Sequence, residues 1–121
     1  MTDEYNPIDI AEQERTAAEY AEEERRRRDQ EISDLCKVMG SKEGRRFMWR
    51  LLSEAGVYRL SFSSDLATMA FNEGNRNAGL KHLNDIMTAC PHLHALMLDE
   101  QKQAKERYDQ RNADRRNKRS R

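Results

Sequence analysis

The sequence predicts an all-α protein with a long charged N-terminal helix, a small three-helix hub and a helical, basic C-terminal arm. Three observations carry that expectation. No glycine lies before Gly40, and Pro7 is the only proline before Pro91, so nothing interrupts a first helix after Pro7. Between residues 41 and 98, large apolar residues recur at steps of three and four: Phe47, Met48, Leu51 and Leu52, then Met69, Leu80, Leu83, Ile86 and Met87. The alternating run, Val57–Phe62, is short and has no second strand to pair with, so it reads as an extended connector packed on the helices. The organisation that follows is a charged helical arm (1–40), a hub (41–98) and a basic, partly helical tail (99–121).

The apolar material is concentrated. Of 121 residues, 36% are charged and 36% hydrophobic, and the stretch 43–90 holds the single Trp and all three Phe. A hub of roughly 60 residues buries only about 60% of its unfolded surface. Oligomerisation or docking is the usual remedy. The formal net charge of zero hides a polarity: residues 1–24 carry nine acids against Arg15, a net of −8, and residues 101–121 nine bases against three acids, a net of +6. The stretch between them is +2. Such a distribution suits charged partners at both ends, or head-to-tail pairing of copies; it equally suits two well-solvated helical arms.

The elements follow in order. Asn6-Pro7 reads as a helix start, with Asn as cap and Pro at the first helical position. The run EEERRRRDQE, 22–31, has no apolar side chain, but its Glu residues precede its Arg residues by four positions, the favourable order for intrahelical pairs. The Arg run therefore reads as helix support rather than as a phosphate site, since every Arg has an acidic neighbour. Ile32, Leu35, Cys36 and Met39 form a narrow stripe that docks the helix on the hub. Gly40 fits a C-terminal cap, and Ser41 caps the second helix, roughly 42–55, with Glu43 at its positive end. Gly56 supplies a left-handed residue, and Val57 covers the helix end in a Schellman-type cap.

Ser63 or Ser64 is expected to cap a third helix, about 65–89, with Asp65 in its first turn. Gly74 and Gly79 inside it either break the helix or admit another backbone. The cluster Glu73, Asn75, Arg76 and Asn77 is a binding surface or buried polar network, or else solvated residues at a break. Pro91 starts a fourth helix, with Leu93, Leu96 and Met97 on its apolar face; it runs to about Asn112 and then frays into a basic end.

Interface candidates are Trp49, Tyr58, Phe62, Arg45, Arg46, Arg50 and Arg76. A Trp between arginines suits an interface anchor or a core position near a wet edge, ahead of base stacking on a nucleic acid.

Chemistry is sparse. Cys90, His92 and His94 match neither common zinc spacing, and two His two apart diverge on a helix. No phosphate-binding loop, dinucleotide fingerprint or nucleophile elbow is present. No catalytic residue, metal ligand or cofactor is assigned. Cys36 and Cys90 are expected to be buried reduced thiols. MTDEYNPIDI lacks the basic and apolar regions of a secretory leader, and no apolar run nears the ~18 residues of a membrane span; a soluble protein made in a cytoplasm is expected.

The run SKEGRRFMWRLLSEAGVYRLSF (41–62), followed by MAFNEGNRNAGL (69–80) and DIMTACP (85–91), resembles a domain of short tailed-phage proteins whose type member comes from a Bordetella podophage. Lys42 stands where relatives often carry Pro, which touches only helix initiation. The resemblance covers Ser41 to Leu98, leaving both arms outside, and carries no catalytic assignment. It implies a phage setting, with relatives encoded among virion and head-assembly genes. The expectation is a non-enzymatic phage structural protein, made in the host cytoplasm and resident in the virion. It would be a multi-copy component of the head interior, portal or DNA-ejection apparatus. Its partners would be other virion proteins (portal, core or tail) and its own copies, with non-specific DNA contact through the basic tail. A transient head scaffold or assembly chaperone, and a nucleic-acid-binding accessory, are the alternatives.

Overall fold

The computed structural model describes residues 7–120, with side chains from Asp9 onward; the expected Asn6 cap lies outside the described residues. Four helices and no strand make up the described chain: α1 (Pro7–Met39), α2 (Lys42–Glu54), α3 (Leu66–Ala89) and α4 (Pro91–Arg119). The chain divides into two compact units between Asp34 and Leu35.

The first unit is the α1 arm. From Asp9 to Asp34 its side chains are exposed, apart from half-buried Ile10, Glu24 and Ile32. With no core to lean on, the helix relies on propensity and on its own charges. Glu22 meets Arg25 at 2.6 Å and Arg26 at 3.7 Å, Glu24 meets Arg27, and Glu31 meets Arg28 at 3.3 Å. Most of these pairs are three apart rather than the four that the sequence suggests. Solvent screens all of them, so each adds only a few tenths of a kcal/mol, roughly 0.2–0.5.

The second unit is the hub with its C-terminal extension. Its core is small: Met39, Met48, Leu52, Val57, Ile86, Cys90 and Met97 are buried, with Leu35, Cys36, Trp49, Ala55, Leu80, Leu83 and Leu93 packed around them. The last turn of α1, the middle of α2, the second half of α3 and the start of α4 thus share one cluster. Three of the seven buried residues are Met, whose flexible side chain fills irregular gaps.

Ser41 caps α2 as expected, its Oγ accepting from Gly44 N–H at 2.9 Å. Ser41→Ala is expected to cost about 1 kcal/mol of hub stability, read as a lower thermal midpoint by circular dichroism. At the other end Gly56 has φ +81°; its N–H donates to Ser53 O and the Val57 N–H to Leu52 O, both at 3.1 Å. That is the Schellman pattern, with Val57 buried over the helix end.

The structure decides or corrects five expectations. Gly40 does follow the last residue of α1, the place expected of its cap, but it is not in the left-handed region; α1 ends in a tight turn, Gly40 N–H to Lys37 O. The cap of α3 is Asp65, not Ser63 or Ser64: its carboxylate accepts from Ala67 and Thr68 N–H and from the Thr68 hydroxyl. Those bonds hold the Asp65 carboxyl below its usual range, the Thr68 hydroxyl contributing most. A depressed carboxyl contributes stability above its unfolded pKa, lost as pH falls through the folded value.

Third, of the two readings of its glycines α3 takes the close approach, passing Gly74 and Gly79 unbroken. Gly79 is the close-approach position, since a Cβ there would sit 2.5 Å from Val57 Cγ2 and 2.8 Å from Ala55 Cβ, whereas Gly74 faces open space. Fourth, the connector is only partly packed: Leu60 is 93% and Phe62 81% exposed. Fifth, α4 does not fray at Asn112 but continues to Arg119. Gln110 donates to Asp114 one turn on, and the basic last turn suits the negative end of the helix.

Candidate interaction surfaces of the hub

Two faces of α2 compete for the core. The periodicity of large apolar residues favours 47/48/51/52, but the buried residues are Arg45, Met48 and Leu52, while Phe47 and Leu51 are exposed. Likewise Ile86 is fully buried on α3 and Met87 is half exposed. An arginine therefore occupies a core position, and its surroundings explain how. Arg45 Nε and Nη2 face the two carboxylate oxygens of Glu100 on α4, and Nη1 donates to Met39 O at 2.9 Å. Both charged side chains are more than four-fifths buried. The guanidinium ties the C-terminus of α1, through an orphan carbonyl, to α2 and α4. Arg45 is accordingly spent inside the chain, and the expectation of a surface contact through it is withdrawn. Glu100 sits 55 positions away, and no sequence signal marks it.

The other candidates separate. Trp49 and Tyr58 come together, their rings stacked 5.1 Å apart at 26°. The Tyr58 hydroxyl lies 3.2 Å from His94 Nε2, fixing the connector to α4. Burial lowers the His94 pKa and raises that of Tyr58. A histidine depressed in the folded state makes stability fall as pH drops through its unfolded value of about 6.5, since the unfolded chain then binds the extra proton. The loss in thermal midpoint between pH 7.5 and pH 5 is expected to be smaller in His94→Asn than in the unsubstituted chain.

Arg46 is exposed beside Glu43 at 3.8 Å, and Arg50 lies over the exposed Phe47 ring at 5.4 Å. Arg76 is half-buried, with its Nε lacking a hydrogen-bond partner among the described residues. Its neighbours in the polar cluster do not converge: Glu73 accepts from the Ser61 hydroxyl, Asn75 borders a small cavity with Glu54 and Arg59, and Asn77 is exposed. Cys90 is buried and Cys36 half-buried, both as free thiols. Burial, followed by the hydrogen bond to Cys36, pushes the Cys90 thiol up to about 11.

Phe62 belongs to a different surface. Leu60, Phe62, Leu66, Met69 and Ala70, with Ser61 and Glu73 at the rim, line an open trough of ≈ 610 Å³. Leu66 is 75% exposed. The Asp65 cap turns the chain so that connector and first α3 turns present these side chains together. Fully burying such side chains is worth about 1.5–3 kcal/mol each, and a clustered exposed patch is characteristic of an interaction site.

The sequence model of one protein family, described as Bbp19-like phage protein, matches residues 35–104. The chain belongs to that family. The matched region begins where the compact hub begins and takes in the Arg45–Glu100 pair, the Trp49–Tyr58 stack and the Leu60–Ala70 trough. The Bbp19-like region excludes the α1 arm up to Asp34 and the last turns of α4. No curated protein and no solved structure matches the chain. Among the described residues, no helix is long and apolar enough to cross a membrane.

Proposed function

We propose that this phage protein is a non-enzymatic structural component of the virion, present in several copies in the head interior, portal or DNA-ejection apparatus. The observation that carries the reading is the exposed apolar face Leu60–Phe62–Leu66 on a hub with only seven buried apolar residues. A core of that size stabilises a small unit weakly. Leaving three large apolar side chains in water forgoes several kcal/mol, roughly 5–9, that a partner surface recovers. Phage assembly supplies such surfaces in many copies, and family membership supports the phage setting.

Mass spectrometry of purified mature particles, alongside heads collected before genome packaging, tests this. The chain is expected in both at a constant ratio to the capsid protein. Presence in the early heads with loss from mature particles would instead identify a transient scaffold or assembly chaperone. Absence from both would end the structural reading.

A further inference from the structure

The continuation of α4 to Arg119 gives the basic end a defined face. With about 3.6 residues per turn, the line that carries Leu93 and Met97 into the hub runs on through Ala104, Tyr108, Arg111 and Arg115. Arg107, Lys118 and Arg119 flank it. Glu106, Asp109 and Asp114 all fall outside this sector. None of the eight Lys and Arg residues between 102 and 119 has a carboxylate within ion-pair distance among the described residues, unlike those of the α1 run 25–28.

The arm carries the complement. Residues 9–24 hold seven acids and one base, a net of −6, against +5 for 102–119. Asp9, Glu14 and Glu19 have no ion pair among the described residues. The two charged segments match in length: 16 residues each for 9–24 and 104–119, about 24 Å of helix. Small residues at Ala17 and Ala21 leave room for a facing helix, and Tyr20 and Tyr108, 69% and 59% exposed, add apolar contact to each.

We infer that the basic face of α4 docks the acidic segment 9–24 of a second copy of this chain. The inference rests on the multi-copy reading above and names one of its contacts. Because the two surfaces are different, the contact is heterologous and propagates from copy to copy, closing into a ring or growing into a filament. Charge steers it, so it weakens with salt. The face is not on this view a DNA site; the balance of charge within one chain supplies each cation face with an equal number of acidic arms.

Sedimentation velocity of the full chain over concentration, at low and high salt, with circular dichroism alongside, provides the test. Arg111→Glu/Arg115→Glu/Arg119→Glu and, separately, Glu12→Lys/Glu14→Lys/Glu19→Lys should each weaken self-association at least about tenfold at unchanged helicity. An equimolar mixture of the two variants should associate again and grow by alternation, because the native arm of one meets the native face of the other and the two reversed surfaces are complementary as well. A chain carrying all six changes should regain self-association. Salt-resistant association untouched by either triple variant would overturn the inference while leaving the multi-copy reading intact, and so would a mixture that stays monomeric. A chain that remains monomeric at low salt and binds duplex DNA through the α4 arginines would overturn it in favour of a nucleic-acid role. The multi-copy reading itself is decided separately, by the content of purified particles.

Discussion

Arg45→Leu is expected to lower the thermal midpoint of the hub by more than about 10 °C. The substitution puts an apolar side chain at a core position but leaves Glu100, a largely buried carboxylate, without its partner, and Met39 O without its donor. Breaking such a pair from one side costs about 3 kcal/mol, and each kcal/mol moves a domain of this size by about 4–8 °C. The penalty comes from the stranded charge rather than from the value of the bridge. Glu100→Leu should therefore be similarly damaging, while the double substitution Arg45→Leu/Glu100→Leu should recover much of the loss. Thermal unfolding of the three variants followed by circular dichroism measures the coupling. Strictly additive losses would show that the two residues act independently and that the bracket holding α1, α2 and α4 is something else.

Phe62→Asp combined with Leu66→Asp should have the opposite profile: a folded, stable chain that no longer enters particles. Both side chains are mostly in water, and changes at such positions move stability by about 0.5 kcal/mol or less. On a partner surface the same changes bury two carboxylates in an apolar trough, each costing several kcal/mol. The fall in incorporation should exceed about tenfold, read by quantitative mass spectrometry of particles made with the variant as sole source. Wild-type incorporation of a folded Phe62→Asp/Leu66→Asp chain would remove the trough from the assembly account.

Much of the framework was readable from residues with local physical roles. Pro7 and Pro91 start helices because a missing N–H is harmless there. Ser41 caps, and Gly56 with Val57 forms the left-handed stop, because each acts within a few residues of itself. Of the stripe Ile32–Leu35–Cys36–Met39, the last three positions pack in the hub core as their spacing indicates. The errors arise where a longer-range partner decides. On α2 the sequence offers two faces, and hydrophobicity selects the one with Phe47 and Leu51. The structure uses the one with Arg45 because Glu100 and Met39 O, supplied by other helices, satisfy the guanidinium. Gly74 and Gly79 look alike in sequence; only the approach of Val57 and Ala55 distinguishes them. Asp65 displaces two serines as cap by a one-residue shift that propensity does not resolve. The persistence of α4 beyond Asn112 reflects weak increments, a Gln110–Asp114 bond and a basic last turn, that a Gly- and Pro-free polar run could hide. The trough was half legible: Phe62 was singled out, but Leu60 and Leu66 were not, because an exposed apolar residue leaves no mark in a pattern read for burial.

On the proposed function, the face around Leu60, Phe62 and Leu66 is covered in the assembled particle. Hydrogen exchange of the backbone amides of residues 58–65, compared between the isolated chain and intact particles, reads this directly. These amides lie outside helices and should exchange quickly in the isolated chain. In particles, slowing of about tenfold or more is expected across the connector, with little change at the already buried Leu52 and Ile86 turns. Equal, rapid exchange of the connector in both states, with the chain present in the particles, would contradict it.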